Sequence, residues 1–113
     1  MASARARGPL LVVEDPFVRA FIHACLARHG FEVLEADPCE GLKVLQSGET
    51  TVRLLITNQP QVFSAAGCYP ALLYLAAFPD ERLAQPFPRW RTLRKPFQPN
   101  QLVKTVQELL EEA

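Results

Sequence analysis

Two hydrophobic patterns alternate along the chain. Leu10 to Val13 and Leu54 to Thr57 are short unbroken runs of apolar or β-branched residues closed by polar turn formers. A strand covered by helices above and below has no solvent side and therefore shows no alternation, so both runs predict buried strands. Residues 31–36, 71–76 and 92–94 predict three more, and the central one extends over 52–57. Between them the period changes. Val18, Phe21, Ile22, Cys25 and Leu26 recur at the spacing of one helix face, with Asp15 placed as N-cap, Pro16 in the first turn and Gly30 as the stop. Asp37-Pro38-Cys39-Glu40 supplies a cap, a first-turn proline and an acid three residues after the cap, opening a helix that runs through Leu42 and Leu45 to Gly48. Leu102, Val103, Val106, Leu109 and Leu110 mark a last amphipathic helix opened by Pro99.

Connection lengths qualify this picture. Only residues 59–70 separate the third and fourth strands, and Pro60, Gly67 and Pro70 lie among them. A parallel crossover with its helix needs at least about 10 to 12 residues, so little more than a turn of helix fits. Residues 79–85 have room for another short helix, which Pro86 and Pro88 stop. Strands alternating with helices predict an α/β, flavodoxin-like three-layer sandwich. Its five-stranded parallel sheet has the order 2-1-3-4-5, with the third and fourth helices shortened or missing. In such sheets ligands meet the loops past the carboxyl ends of the central strands, which makes Asn58 the residue to watch.

Composition narrows the function. At 113 residues and 49% apolar the chain is one domain, with residues 1–8 expected as a disordered tail and 9–113 as the folded body. Lys and Arg number 12 and so do Asp and Glu, so no net field draws the protein to nucleic acid or an acidic membrane surface. The first apolar run is too short for a membrane span, and a cytoplasmic location is expected. Cys25, Cys39 and Cys68 are odd in number and far apart, which argues for reduced thiols over disulfides or a zinc site. His23 and His29 have no further ligand at metal spacing, Ser64 lacks a nucleophile elbow, and Cys25 with His29 are merely helix neighbours.

Several pieces, taken in order, carry a resemblance. They are Leu11-Val12-Val13-Glu14-Asp15, Val18-Arg19, His29-Gly30-Phe31-Glu32-Val33-Leu34-Glu35-Ala36 and Leu93-Arg94-Lys95-Pro96-Phe97, with Leu102 in the last helix. The chain resembles the receiver domain of bacterial two-component response regulators, from Leu10 to Leu110. In that family an acidic pair after strand one and an aspartate ending strand three hold Mg²⁺, and the aspartate takes a phosphoryl group from a histidine kinase. A hydroxyl on strand four, an aromatic on strand five and a lysine read the phosphate. Carried over, the resemblance places the acidic pair near Glu14 and Asp15, the phosphoacceptor on Asn58, the hydroxyl on Ala76, the aromatic on Thr92 and the lysine on Lys95. One residue is lost between Asp15 and Arg19 relative to the family, so the acids need not align with its pair.

An amide is a feeble nucleophile and a poor ligand for a hard cation, so the resemblance implies a degenerate receiver with weak or absent Mg²⁺ binding and no other cofactor. Lys95 then has a structural role, paired with Glu14 or Asp15 across the strand ends. The expected function is a non-enzymatic module for phosphorylation-independent signalling or protein interaction. Its expected partners are a histidine kinase or another regulator, with a homodimer as an open alternative. Two other readings remain: a receiver phosphorylated at another acid, with Asp15 the candidate, and a small-molecule-binding flavodoxin-like domain. Against the latter, the turn Glu14-Asp15-Pro16 sets carboxylates where phosphate binders use glycine. Phe78, Phe87, Trp90 and Arg89, aromatics beside arginine on a proline-stiffened segment, are the candidate partner surface, or else a cover for the sheet where helix is lost.

Overall fold

A computed structural model of the chain describes residues 8–111. The expected tail, residues 1–8, lies outside the described residues except for Gly8. The described chain runs β1 (Leu10–Val13), α1 (Pro16–Ala27), β2 (Val33–Ala36), α2 (Pro38–Ser47), β3 (Leu54–Thr57), α3 (Pro60–Ala65), β4 (Leu72–Ala76), β5 (Trp90–Arg94) and α4 (Pro99–Glu111). All pairings are parallel, in the order β2-β1-β3-β4-β5. The sheet is the one predicted.

Leu10 to Val13 and Leu54 to Thr57 are buried at every position, since helices cover both faces of their strands. On one face Val12, Ile56 and Leu73 meet Ile22 and Leu26 of α1 and Leu102, Val106 and Leu109 of α4. On the other, Leu11, Leu55 and Leu72 meet Phe63 of α3, the residues of α2, and Ala84 and Phe87. Gly41 lets α2 lie close to the sheet, because a Cβ there would stand 2.8 Å from Cγ2 of Val13.

The helix ends follow their local chemistry. Glu40 N–H donates to Asp37 Oδ1 at 2.7 Å and Asp37 N–H to Glu40 Oε1 at 3.0 Å, a reciprocal cap at the start of α2. Gly48 closes that helix with φ +72°. Asp15 occupies the N-cap position of α1, but its side chain makes no capping bond.

Two segments are curtailed. α3 spans six residues, and between β4 and β5 there is one 3₁₀ turn, Glu81–Leu83. Asp80 accepts from Arg82 N–H at its start, and the Arg82 guanidinium holds the Asp80 carboxyl below its ordinary value. β5 begins at Trp90, two residues before the predicted start. Phe21, assigned from its spacing to the inner face of α1, is instead 42% exposed, its ring against Phe97 with centroids 6.3 Å apart. It sits on the flank of the buried stripe, where Phe97, ahead of α4, covers only part of the ring.

Candidate functional site

Parallel strands all end at one rim. Val13 pairs with Thr57, Thr57 with Tyr74, and Ala76 with Arg94, so Glu14, Asn58, Ala76 and Lys95 arrive together at the carboxyl ends of the sheet. Asn58 and Ala76 are half-buried there. Thr92 lies further back on β5, beside Tyr74. Asp15 is exposed.

Glu14 is the buried acid of this rim. Its Oε1 accepts the N–H of Asp15 at 3.0 Å, and Nζ of Lys95 stands 2.8 Å from Oε2. The contact to Oε2 is an ion pair set off the line of a well-formed hydrogen bond. The carboxylate is fully removed from solvent while the lysine side chain keeps 27% of its exposure. Desolvating a lone carboxylate costs several kcal/mol, and the ammonium offsets that cost. The N–H of Lys95 donates to Ala76 carbonyl at 2.9 Å, prolonging the β4–β5 ladder by one residue, and the Lys95-Pro96 peptide is cis. Of the two acids offered as partner to Lys95, the geometry selects Glu14.

Arg19 does something its sequence position does not announce. Its Nη1 donates to the carbonyls of Glu14 at 3.4 Å and Ala36 at 3.2 Å, tying the ends of β1 and β2, while Nε lies 3.5 Å from Glu35 Oε1. His23 Nδ1 approaches the other oxygen of Glu35 at 2.7 Å. The available signal was an arginine and a histidine four apart on one helix side, with a lone acid in the edge strand they pack beside.

Chemically the rim is quiet. Its one buried acid is paired, its central residue is an amide, and Ala76 offers a methyl group. Among the described residues no three His, Cys, Asp or Glu side chains are grouped to hold a metal ion. Beside the rim Phe17, Phe21, Lys95, Pro96 and Phe97 line an apolar groove of about 530 Å³.

The proposed partner segment divides. Phe87 is 2% exposed and packs edge-on to Tyr69, so it belongs to the core, filling space over the sheet that a longer helix would have covered. Trp90 is half-buried against the same cluster. Arg89 turns away, its Nη1 donating to the Leu109 carbonyl of α4 at 2.6 Å. Phe78 alone stands out, 82% exposed, with the Arg94 guanidinium 5.3 Å from its ring centroid.

No protein-family model matches the chain, and no curated protein matches its sequence. Solved structures do match. A response regulator receiver protein from Sinorhizobium medicae superposes with TM-score 0.73 at 22% identity, over 90% of this chain and 92% of that one. The receiver domain of the hybrid histidine kinase CckA gives 0.74 at 25% identity over 91% and 99%. The chemotaxis protein CheY4 of Vibrio cholerae gives 0.72 at 20% identity over 92% and 100%. The fold is that of receiver domains.

Proposed function

We propose that this chain is a receiver-type signalling module that works by protein contact without accepting a phosphoryl group. The observation that carries the reading is the state of the rim: Asn58 at the end of β3, where the resemblance puts the phosphoacceptor, beside a Lys95 already neutralised by Glu14. An amide cannot form an acyl phosphate, and a lysine whose charge is matched by a buried carboxylate has less attraction for an incoming phosphate. Ala76 and Thr92 withdraw the hydroxyl and the aromatic that would relay such a charge. The partners suited to this module are a histidine kinase or another regulator, which it would engage without a catalytic step or a bound metal.

The test is incubation of the intact protein with acetyl phosphate and Mg²⁺, read by intact mass. An unchanged mass is expected. An adduct that hydroxylamine removes would refute the reading, and peptide mapping would then show whether Asp15 carries it.

A further inference from the structure

One surface stands apart from the rim chemistry. β5 closes the sheet on one side with no strand beyond it among the described residues, and none of its five residues is buried, whereas four of the five in β4 are. The connection between them supplies one 3₁₀ turn and no α-helix. In a parallel strand, alternate residues turn their main-chain groups to opposite sides. The Arg89 carbonyl accepts the N–H of Leu72 at 2.9 Å, and the N–H of Lys95 donates to the Ala76 carbonyl at 2.9 Å. Odd-numbered residues of the strand therefore face β4, in agreement with the register of Leu72 on Trp90. The N–H and C=O groups of Trp90, Thr92 and Arg94 point the other way and make no bond among the described residues. Pro96, the next outward position, has no N–H and ends the run.

We propose that this edge takes up an extended, acidic segment of a partner protein as a further strand. A row of unspent main-chain donors and acceptors is what strand addition uses for affinity, and the side chains beside the row choose the sequence. Here those side chains are Arg89 and Arg94, at the two ends of β5 and about 16 Å apart along it. Arg94 Nε donates to the Ala77 carbonyl at 3.0 Å, and its guanidinium lies 5.3 Å from the Phe78 ring centroid, which fixes the fork while neither Nη is engaged. Arg89 is half-buried, and its Nη1 goes to the Leu109 carbonyl, a neutral group. Neither guanidinium meets a carboxylate among the described residues, in contrast to Arg19, Arg82 and Lys95, each of which has one. A fixed guanidinium with free Nη groups suits a carboxylate that accepts two parallel hydrogen bonds. The odd separation of the arginines sends their side chains to opposite faces of the sheet, so the matching acids stand five residues apart on the added strand, one on each face.

The site involves neither Asn58 nor a phosphoryl donor, so its test is separate from that of the function proposed above. The probe is the synthetic peptide acetyl-Thr-Glu-Val-Thr-Val-Thr-Glu-Thr-amide, titrated into the full chain and followed by amide NMR. Saturable binding at sub-millimolar peptide, weakened by salt, is expected. Amide exchange should slow at Trp90, Thr92 and Arg94, while Arg91 and Leu93, already in the ladder with β4, stay as they were. Lysine in place of both glutamates is expected to abolish binding. Arg94→Glu, at an exposed position, is expected to keep its circular dichroism and to weaken binding about tenfold or more. Thr92→Pro removes an outward donor, a change that edge strands tolerate, and is expected to abolish binding. No binding by the glutamate peptide, equal binding by the lysine peptide, binding that leaves the three outward amides exchanging as before, or a chain that fills this edge with a second copy of itself would overturn the proposal.

Discussion

The ammonium of Lys95 and the carboxylate of Glu14 meet at 2.8 Å, with the glutamate side chain wholly removed from solvent. Taking away one member of such a pair is worse than taking away both, because the survivor is left as an uncompensated charge. Lys95→Met is therefore expected to cost about 3 to 5 kcal/mol, measured by urea denaturation. The double variant Glu14→Gln, Lys95→Met should recover a large part of it. Equal losses in the single and double variants would mean that the lysine contributes through its packing and not its charge.

Millimolar Mg²⁺ is expected to leave the melting temperature where it was. A ligand stabilises only as far as it binds the folded state, and this rim offers the ion a paired acid, an exposed acid and an amide. A rise of several degrees in thermal melting would contradict this.

Gly41→Ala opposes two effects of similar kind. Alanine favours the helix by about 1 kcal/mol over glycine. Its Cβ, however, would stand 2.8 Å from Cγ2 of Val13 and 3.4 Å from the Phe63 ring, both fully packed. Overpacking of that sort costs about 1 to 3 kcal/mol, so a net loss is expected in denaturant unfolding. A gain in stability would show that α2 can lift from the sheet freely.

Phe87→Ala should lose about 3 to 5 kcal/mol, as a buried aromatic does. Trp90, half in solvent on β5, should lose less on replacement by alanine, and its fluorescence should remain partly accessible to an aqueous quencher. If Phe87→Ala were neutral in stability but altered association, the segment would be surface after all.

Much of the architecture was legible because its signals are local. The unbroken runs of β1 and β3, the reciprocal cap of Asp37 and Glu40, and the prolines that curtail the segment after β4 each act within a few residues. What escaped depends on partners distant in sequence. Whether Glu14 or Asp15 meets Lys95 is decided by which one turns inward at the end of β1. Phe87 reads like a surface aromatic from its arginine and proline neighbours, yet it is drawn in by the space left open above β4. The start of β5 was misplaced because Trp90 and Arg91 belong to an edge strand, where residues need to suit only one neighbour. Phe21 shows the same limit: helical spacing fixes its angle around α1, but not how much of the ring Phe97 covers from a distant part of the chain.

The position of β5 at the margin of the sheet also bears on how molecules of this protein avoid each other. An edge strand is a template on which a second sheet can continue, the usual route to unwanted aggregation. Here the edge carries Arg91 and Arg94 and runs into Lys95-Pro96. Two such edges laid antiparallel would crowd cation against cation, and the proline has no N–H to lend to a further ladder. Growth by strand addition is thus discouraged on this side of the sheet.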